Sequence, residues 1–285
     1  MAGPAIVAVR AAGNITTAAS STIITLSGSQ TVGNHLICLV ALGSQAGGLS
    51  SVSGSGNSFT VRQNIAGTLS TSGYAFADCK IGSSMTQITL NFSAAIKASW
   101  YIVEVSGLDP TSWYDAVSVS KTGAAASSSL STNPVTAAAA NEVIFGLWSA
   151  GAWASGSAGS SFASVGPTLN LAPDRFAVYD LTGNAGSNTP TATMSGANAY
   201  SGGAIAYKPI AAITYNLTPS GGIVLGGTRT SARTFAVSPS GGIRLGGSVV
   251  TTFVGPNVVS APVASGGTTV GQTLSCTTGS WTSQP

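Results

Sequence analysis

The feature of this sequence that most constrains its fold is the spacing of its apolar residues, which occur in short runs separated by Gly, Ser, Asn and Pro. In the segment 87–92, Gln-Ile-Thr-Leu-Asn-Phe, the apolar residues occupy every second position. Because successive side chains of a strand point to opposite faces, this spacing predicts a strand with one buried face. The run 36–40, Leu-Ile-Cys-Leu-Val, is apolar throughout, which predicts a strand covered on both faces.

Similar runs recur along the first 209 residues, and none of them has the period of a helix. The predicted strands are residues 5–10, 22–26, 36–42, 59–63, 74–81, 87–92, 100–105, 116–120, 143–148, 162–165, 176–181, 189–194 and 204–207. The alanine run 137–140 follows Asn133-Pro134, and the residue before a proline favours an extended backbone. We therefore expect an all-β fold, with residues 1–209 forming a jelly-roll-like sandwich of two sheets.

These 209 residues also contain a diverged internal repeat. Segments beginning at residues 34, 73, 86 and 99 resemble segments beginning at 141, 174, 189 and 201, in the same order. The spacings between the paired segments are 107, 101, 103 and 102 residues, as the starting positions show. A duplicated set of strands fits a sandwich in which each copy supplies comparable strands.

Residues 210–255 contain a clearer repeat. Tyr215-Asn-Leu-Thr-Pro-Ser-Gly-Gly-Ile-Val-Leu-Gly-Gly-Thr returns from Phe235 as Phe-Ala-Val-Ser-Pro-Ser-Gly-Gly-Ile-Arg-Leu-Gly-Gly-Ser. Proline fixes φ at a turn entry and glycine accepts a positive φ, so each unit is predicted to form a short β-hairpin. A lone hairpin buries little surface, and we expect these to pack on other subunits. The candidate inter-subunit residues are Pro219, Gly221, Gly222, Arg229, Arg233, Pro239, Gly241, Gly242 and Arg244.

Residues 256–285 are predicted to be the beginning of an immunoglobulin-like module, with two strand candidates and Trp281. Such modules usually need about 100 residues. We therefore expect the natural chain to continue beyond Pro285.

The scarcity of charge excludes several classes of protein. The chain has 10 Lys+Arg and 7 Asp+Glu in 285 residues, which is 6% charged, where about 25% is usual. Nucleic-acid binding by clustered basic residues is not expected at a net charge of +3. No apolar run is long enough for a spanning helix, so a membrane partner is not expected either. Cys38, Cys79 and Cys276 form no zinc or disulfide pattern, and no metal or cofactor is predicted.

Few residues could support catalysis. A Ser-His-Asp triad would need His35, the only histidine, and the sequence has no Gly-x-Ser-x-Gly elbow. The acidic residues are Asp78, Glu104, Asp109, Asp115, Glu142, Asp174 and Asp180. We predict no catalytic residue and no enzyme activity. In the segment 108–115, Leu-Asp-Pro-Thr-Ser-Trp-Tyr-Asp, Asp109 and Asp115 could instead flank an aromatic platform of Trp113 and Tyr114 that contacts a glycan. The alternative interpretation is a structural Asp-Pro turn.

Three motifs carry a resemblance to a known class of protein. The Pro-Ser-Gly-Gly repeats at Pro219 and Pro239 resemble short repeats of tailed-bacteriophage virion proteins. The segment 270–281 resembles the opening of immunoglobulin-like modules on phage and bacterial surface proteins, and segments 34–42 and 99–108 are similar to phage jelly-roll domains. The resemblance implies a structural role and no catalytic residue. The incomplete module at the end departs from this pattern.

The leading hypothesis is a non-enzymatic structural protein on the exterior of a tailed-phage virion, made and assembled in the host cytoplasm. It would be a capsid decoration, a head fibre or a tail-fibre component. We expect a homo-oligomer, with a trimer favoured, that contacts other virion proteins such as the major capsid or tail proteins. One alternative is a carbohydrate-binding adhesin for host surface glycans. A polysaccharide depolymerase is the third hypothesis and would need two carboxylates facing a cleft.

Overall fold

The computed structural model describes residues 3–43, 46–67, 72–150, 155–166 and 174–210, together with six short strands farther along the chain. The chain divides into two compact units, Met1–Ile213 and Thr214–Pro285. The first unit contains two seven-stranded sheets. The all-β class and the two-sheet, sandwich-like arrangement predicted from the sequence are confirmed, and no residue within the described ranges is helical.

Sheet 1 uses the first part of the chain. Its strands are β1 (Ala5–Thr25), β2 (His35–Leu42), β3 (Leu49–Gly54), β4 (Asn57–Ser58), β5 (Thr60–Ile65), β6 (Gly73–Lys80) and β7 (Gln87–Ser106). Their order is β4-β3-β7-β2-β6-β5, and β1 pairs with β7. The long strand β7 pairs with β3 through its first half and with β2 through its second half, whereas β1 pairs with both halves. Among the described residues, β1 therefore forms an edge of sheet 1.

Sheet 2 uses the following part. The strands from Tyr114 onward are β8 (Tyr114–Val117), β9 (Lys121–Ser131), β10 (Val135–Ala137), β11 (Glu142–Ala150), β12 (Gly156–Ala158), β13 (Ala163–Ser164), β14 (Asp174–Gly183), β15 (Gly186–Asn188) and β16 (Thr191–Tyr207). The order in sheet 2 is β12-β16-β11-β14-β13, and β8 and β9 both pair with β16. The short strands β10 and β15 form a separate pair.

The two sheets repeat one topology. In sheet 1, the central strand β2 pairs with β6 through Leu39↔Phe76 and with β7 through Leu39↔Tyr101. In sheet 2, the central strand β11 pairs with β14 through Leu147↔Ala177 and with β16 through Leu147↔Gly203. The strands β8 and β9 together pair along β16, as β1 pairs along β7. The spacings set by these pairs are 108 residues from 39 to 147, 101 from 76 to 177 and 102 from 101 to 203.

The structure shifts one part of the sequence repeat by one residue. A spacing of 107 pairs Asn34 with Asn141, but the strand register requires 108, so that Gly33 corresponds to Asn141. These two residues share a left-handed backbone, with φ of 93° and 64°. Their N–H groups also donate to equivalent carbonyls, those of Ile81 and Gly183. A shift of one residue reverses the face of every side chain in a strand, so this correction decides which residues are compared below.

The main core lies between the sheets. It contains Ile37, Phe76 and Val103 from sheet 1, and Phe145 and Ile205 from sheet 2, all fully buried. The opposite face of sheet 1 covers a second core that includes Leu36, Cys38 and Trp100. Sheet 2 has two smaller cores on its other face. Strands covered on both faces explain the continuous apolar run at 36–40.

The second unit is described only through short strands: β17 (Ile223–Val224), β18 (Ile243–Arg244), β19 (Val258–Ser260), β20 (Ala264–Ser265), β21 (Ser275–Cys276) and β22 (Ser280–Trp281). The strands β17 and β18 come from equivalent positions of the two repeats and pair in parallel, Ile223↔Ile243. The pairing expected inside each hairpin lies outside the described residues. The strand β19 pairs antiparallel with β22, and β20 pairs antiparallel with β21.

Candidate functional site

The segment predicted to contact glycans joins β7 to β8, at one end of the sandwich. Asp109 accepts hydrogen bonds from the Thr111 N–H at 2.8 Å, the Thr111 hydroxyl at 3.0 Å and the Ser112 N–H at 2.7 Å. These backbone hydrogen bonds are the main reason that the pKa of Asp109 is lowered. Asp109 therefore closes the turn that follows Pro110, as the structural interpretation of Asp-Pro predicts.

Trp113 and Tyr114 pack inward, half-buried against the core between the sheets. The Trp113 Nε1–H donates to Asp78 Oδ1 at 2.9 Å. The Arg62 guanidinium lies 4.4 Å from the centre of the Tyr114 ring, which is a cation–π distance. Both aromatic side chains therefore already serve as packing partners. Glycan contact through Asp109, Trp113, Tyr114 and Asp115 stays a prediction.

Asp78 is the centre of a buried polar network, with its side chain fully inaccessible to solvent. Besides Trp113, it accepts from Arg62 Nε at 2.8 Å, from the second Arg62 nitrogen at 2.9 Å, and from the Tyr207 hydroxyl at 3.1 Å. Four donors on one carboxylate offset the cost of burying its charge. This network links β5, β6 and β16 and thereby joins the two sheets.

His35 lies at the edge of this network and is also fully buried. Its ring centre is 4.7 Å from that of Trp113, and neither ring nitrogen has a hydrogen-bond partner among the described residues. Burial lowers the pKa of His35 to about 4, although nearby Asp78 opposes the shift. The imidazole is therefore neutral at pH 7. The described residues around it provide no serine hydroxyl that donates to it.

A second cluster contains two carboxyl groups and one amine. Lys208 Nζ lies 3.0 Å from Asp115 Oδ1, and the side chains are 35% and 8% exposed respectively. The Ala138 N–H donates to Asp115 Oδ2 at 2.7 Å, and the Ala139 N–H donates to Glu142 Oε1 at 2.9 Å. Glu142 is fully buried and lies close enough to Asp115 for that carboxyl group to raise its pKa, while its Oε2 atom has no hydrogen-bond partner among the described residues.

Two carboxyl groups this close repel each other when both are ionised, so one of them favours holding a proton. Burial is the main cause that raises the pKa of Glu142 to about 7, and the neighbouring Asp115 charge adds to the shift. For Asp115, burial is opposed by the Ala138 N–H and by Lys208, and the net effect is a lowered pKa. Below pH 7 the cluster therefore favours a protonated Glu142, together with an ionised Asp115 and a Lys208 ammonium. Two titrating groups this close share their proton as a pair.

The corresponding end of sheet 1 carries a different cluster. Glu104 is fully buried and accepts from Arg10 Nε at 2.7 Å, the Thr31 N–H at 3.0 Å and Asn34 Nδ2 at 2.6 Å. The register places Asn34 where sheet 2 has Glu142. Asp115 corresponds to Val7, because each is a bulged residue of its edge strand. Val7 lies between the pairs Ile6↔Val105 and Ala8↔Glu104 of sheet 1. Asp115 lies between the equivalent pairs of sheet 2.

The hydrolase geometry is not found in this carboxyl pair. Glycosidases separate their two carboxyl groups by about 5–10 Å across a cleft that holds the substrate. Asp115 and Glu142 instead lie beside each other, and both are almost inaccessible to solvent. No group of three or more metal-ligating side chains occurs among the residues that were searched, which are the described ones.

Sequence reasoning missed Asp78, Glu142 and Lys208 as members of these clusters. Asp78 interrupts the apolar run 74–79, where an acid predicts a buried partner, and that signal was present. Glu142 and Lys208 gave no local signal, because they meet Asp115 only through the pairing of β8, β11 and β16. Cys38 and Cys79 are free and buried, as small apolar residues would be.

The candidate inter-subunit residues Pro219, Gly221, Gly222, Arg229, Arg233, Pro239, Gly241 and Gly242 lie outside the described residues, and only the backbone of Arg244 is described. No protein-family model, curated protein or solved structure matches this chain. Within the described residues, no helix is long and apolar enough to cross a membrane.

Proposed function

We propose that this chain is a non-enzymatic structural protein of a tailed-phage virion, placed on the particle exterior as a capsid decoration, a head fibre or a tail-fibre component. In this proposal it assembles with copies of itself, as a trimer, and contacts the major capsid or tail proteins. The observation that carries the proposal is the edge strand β1, which spans 21 residues and presents one side to β7.

An edge strand of this length is a template for pairing with another chain. Soluble proteins usually protect such edges with Lys or Pro residues or with bulges. The strand β1 contains neither lysine nor proline, and its one charged residue, Arg10, is paired with Glu104. Of these protections, β1 has only the bulges that interrupt its register with β7. Val7 and Ile23 are 44% and 65% exposed, and residues 9–12 and 23–25 line an open groove of about 470 Å³ with Trp100.

The low charge of the chain supports the same proposal. With 6% charged residues, little repulsion keeps two copies apart. The clusters around Asp78, Glu104 and Asp115 use their charges inside one chain rather than on an open surface.

The first test is the mass of the native protein at micromolar concentration, measured by light scattering after size exclusion. We expect a trimer, and we expect Ile23→Lys to shift it towards the monomer because a charge is placed on the β1 edge. Val119→Lys is the matched control, since Val119 is 76% exposed and lies outside β1. A wild-type monomer at this concentration would contradict the assembly.

The second test concerns location. Antibodies raised against the chain should label intact phage particles purified from the bacterium that carries the gene. Label on the capsid or on the tail distinguishes the two placements. Particles that lack the chain, in a culture that expresses it, would contradict the virion role whatever the oligomeric state proves to be.

A further inference from the structure

We propose that Lys208 and Asp115 condense to form an intramolecular isopeptide bond between Lys208 Nζ and Asp115 Cγ, with Glu142 as the group that transfers protons. The site is a modification site that forms within one folded chain and needs no other protein. It does not depend on the virion function proposed above.

The reacting groups are already in contact. Lys208 Nζ is 3.0 Å from Asp115 Oδ1. The backbone holds both residues in place, because the Lys208 N–H donates to the Trp113 carbonyl at 2.7 Å and the Asp109 N–H donates to the Lys208 carbonyl at 3.0 Å. Holding two reactants at contact distance replaces a bimolecular step by an intramolecular one, which raises rates by large factors.

The surroundings of Asp115 suit attack at its carboxyl carbon. The Ala138 N–H, 2.7 Å from Oδ2, can stabilise the negative charge that develops on this oxygen in a tetrahedral intermediate. The Glu142 carboxyl group lies beside the same carboxylate and is shielded from water, and its Oε2 atom has no other hydrogen-bond partner among the described residues. Its pKa, raised to about 7, lies near neutral pH, so the group can both give and take a proton there as a general acid and base.

The reaction balances without any further reagent. The Lys208 ammonium gives one proton to the Asp115 carboxylate, and the neutral amine then attacks Cγ. The new bond joins Nζ to Cγ. The bond that breaks joins Cγ to one carboxyl oxygen, which leaves as water with the proton from the first step and a second proton that the nitrogen releases through Glu142. Glu142 ends protonated, as it began, and nothing is oxidised or reduced.

The resting protonation state makes this reaction slow. The hydrogen bond with Asp115 raises the pKa of Lys208, and the pKa of Asp115 is lowered, so the first proton transfer is uphill. We therefore expect the bond to form gradually after folding, at a rate that can be followed.

Sheet 1 provides an internal control. The residues at the corresponding positions are Val7, Asn34 and Ser106, which cannot condense in this way. The ion pair that sheet 1 does have, Arg10 with Glu104, uses a guanidinium that stays protonated and is therefore not a nucleophile. The complete set of amine, acid and proton donor occurs in sheet 2.

The bond would have a mechanical consequence. It would close a covalent loop from residue 115 to residue 208, which contains β9 to β16 and so nearly all of sheet 2. Tension arriving through the backbone from residue 209 onward would pass directly from Lys208 to Asp115 and then towards β7. Sheet 2 would be protected from being pulled apart.

The test is the intact mass of the full chain under denaturing conditions, followed from purification through overnight incubation at neutral pH. We expect the mass to fall by one water molecule. Trypsin should then release a branched species that joins peptide 98–121 to peptide 176–229, since Lys208 precedes a proline and is not a cleavage site. A mass that after the incubation still equals that of the full sequence, with no water lost, would overturn the proposal.

Two variants separate the bond from other losses of water. Lys208→Arg keeps the charge pair but cannot condense, so a water loss that persists in this variant contradicts the assignment. Glu142→Gln keeps the shape but cannot exchange a proton, and we expect the rate to fall by about 100-fold or more, the usual contribution of a general acid–base group. Condensation at the wild-type rate in Glu142→Gln would remove Glu142 from the mechanism. Melting curves of both variants report whether the fold is retained.

Discussion

The two sheets share a topology but stabilise the end of their last long strand differently. In sheet 1, Glu104 is surrounded by donors that need no titrating proton: a guanidinium, a backbone N–H and the Asn34 amide. In sheet 2, the position of Asn34 holds Glu142, which can donate to Asp115 only while it is protonated. The same fold therefore supports one cluster whose donors need no titrating proton and another in which the donor depends on the pH.

This comparison shows where a repeat can diverge without cost to the fold. The apolar positions facing the other sheet correspond, as Ile37 and Phe145 or Val103 and Ile205 do. The polar residues at the strand ends do not, because each cluster needs only to satisfy its own buried groups. The predictions below use Lys208→Arg protein as the reference, in which the ion pair is kept and the proposed covalent bond cannot form.

The largest difference is expected when the acid of each cluster is removed. Glu104→Ala leaves the Arg10 guanidinium, the Thr31 N–H and the Asn34 amide without the fully buried acceptor they share, and removing one partner of a buried pair costs about 3–5 kcal/mol. Asp115→Ala in the same reference leaves the cation at residue 208, where the native side chain is 35% exposed, free to be hydrated, so about 1 kcal/mol is expected. Urea unfolding of both variants measures the difference. Equal losses would contradict the contrast between the clusters.

The sequence predicted the part of this comparison that depends on strand periodicity and missed the part that depends on register. Alternation within 87–92 and the apolar run at 36–40 located strands of sheet 1, and the repeated segments pointed to comparable strands in sheet 2. The bulge at Asp115 and the one-residue shift of β11 arise from pairing between distant strands. No local pattern shows that Asp115, Glu142 and Lys208 meet.

The candidate site shows the same limit. Trp113 and Tyr114 were recognised as neighbours of two aspartates, which is correct in the chain. Their rings turn inward because Asp78 and Arg62, which lie on β6 and β5, provide partners for them. Periodicity could have placed Asp78 inside the sandwich, but nothing in the sequence indicates which aromatic residues reach it.

The second prediction concerns His35, whose position corresponds to Val143 in sheet 2. Its folded-state pKa of about 4 lies below the unfolded value of 6.5, so its contribution to stability is present above pH 6.5 and is lost as the pH falls towards 4. Glu142 acts in the opposite sense, because its folded pKa of about 7 lies above the unfolded 4.5 and its contribution is lost as the pH rises towards 7.

The effects of His35 and Glu142 on the free energy of unfolding therefore partly cancel between pH 4.5 and 6.5. Replacing one of the two residues should expose the pH dependence that the other causes. In Glu142→Gln protein, the free energy of unfolding should rise with pH over this range, by at most about 1.4 kcal/mol per pH unit. Adding His35→Val should remove that slope, whatever its effect on packing against Trp113. Urea titrations at three pH values measure it, and a slope unchanged by His35→Val would contradict the role of His35.

The third prediction makes sheet 2 resemble sheet 1 at the shared position. In Glu142→Gln, an amide donates to Asp115 as Asn34 donates to Glu104, without holding a titrating proton. Above pH 7 we expect this variant to be more stable than the reference by about 1 kcal/mol, the usual net value of one hydrogen bond. At pH 5 the difference should almost vanish, because Glu142 is then protonated and donates equally well.

The reciprocal variant is the control for that exchange. Asn34→Asp places a carboxyl group beside Glu104 and should make the stability of sheet 1 fall as the pH rises. Thermal melting at pH 5 and pH 8 compares the two variants. If Glu142→Gln is no more stable at pH 8 than at pH 5 relative to the reference, the proton shared by Asp115 and Glu142 is not what distinguishes the clusters.

The smallest effect is expected at the turn that precedes each central strand, where Gly33 and Asn141 both have a positive φ. Asparagine tolerates this conformation better than other residues with a Cβ atom, but glycine adopts it without steric cost. Asn141→Gly should therefore change the free energy of unfolding by only about 0.5 kcal/mol, since relief of the left-handed strain is offset by the greater freedom of glycine in the unfolded chain.

Gly33→Ala should cost about 1 kcal/mol, and a Cβ atom there meets no other atom within 4 Å, so the cost comes from φ alone. Calorimetry of both variants at one pH tests the equivalence. If Gly33→Ala is tolerated without loss, the shared left-handed turn does not constrain the two sheets in the same way.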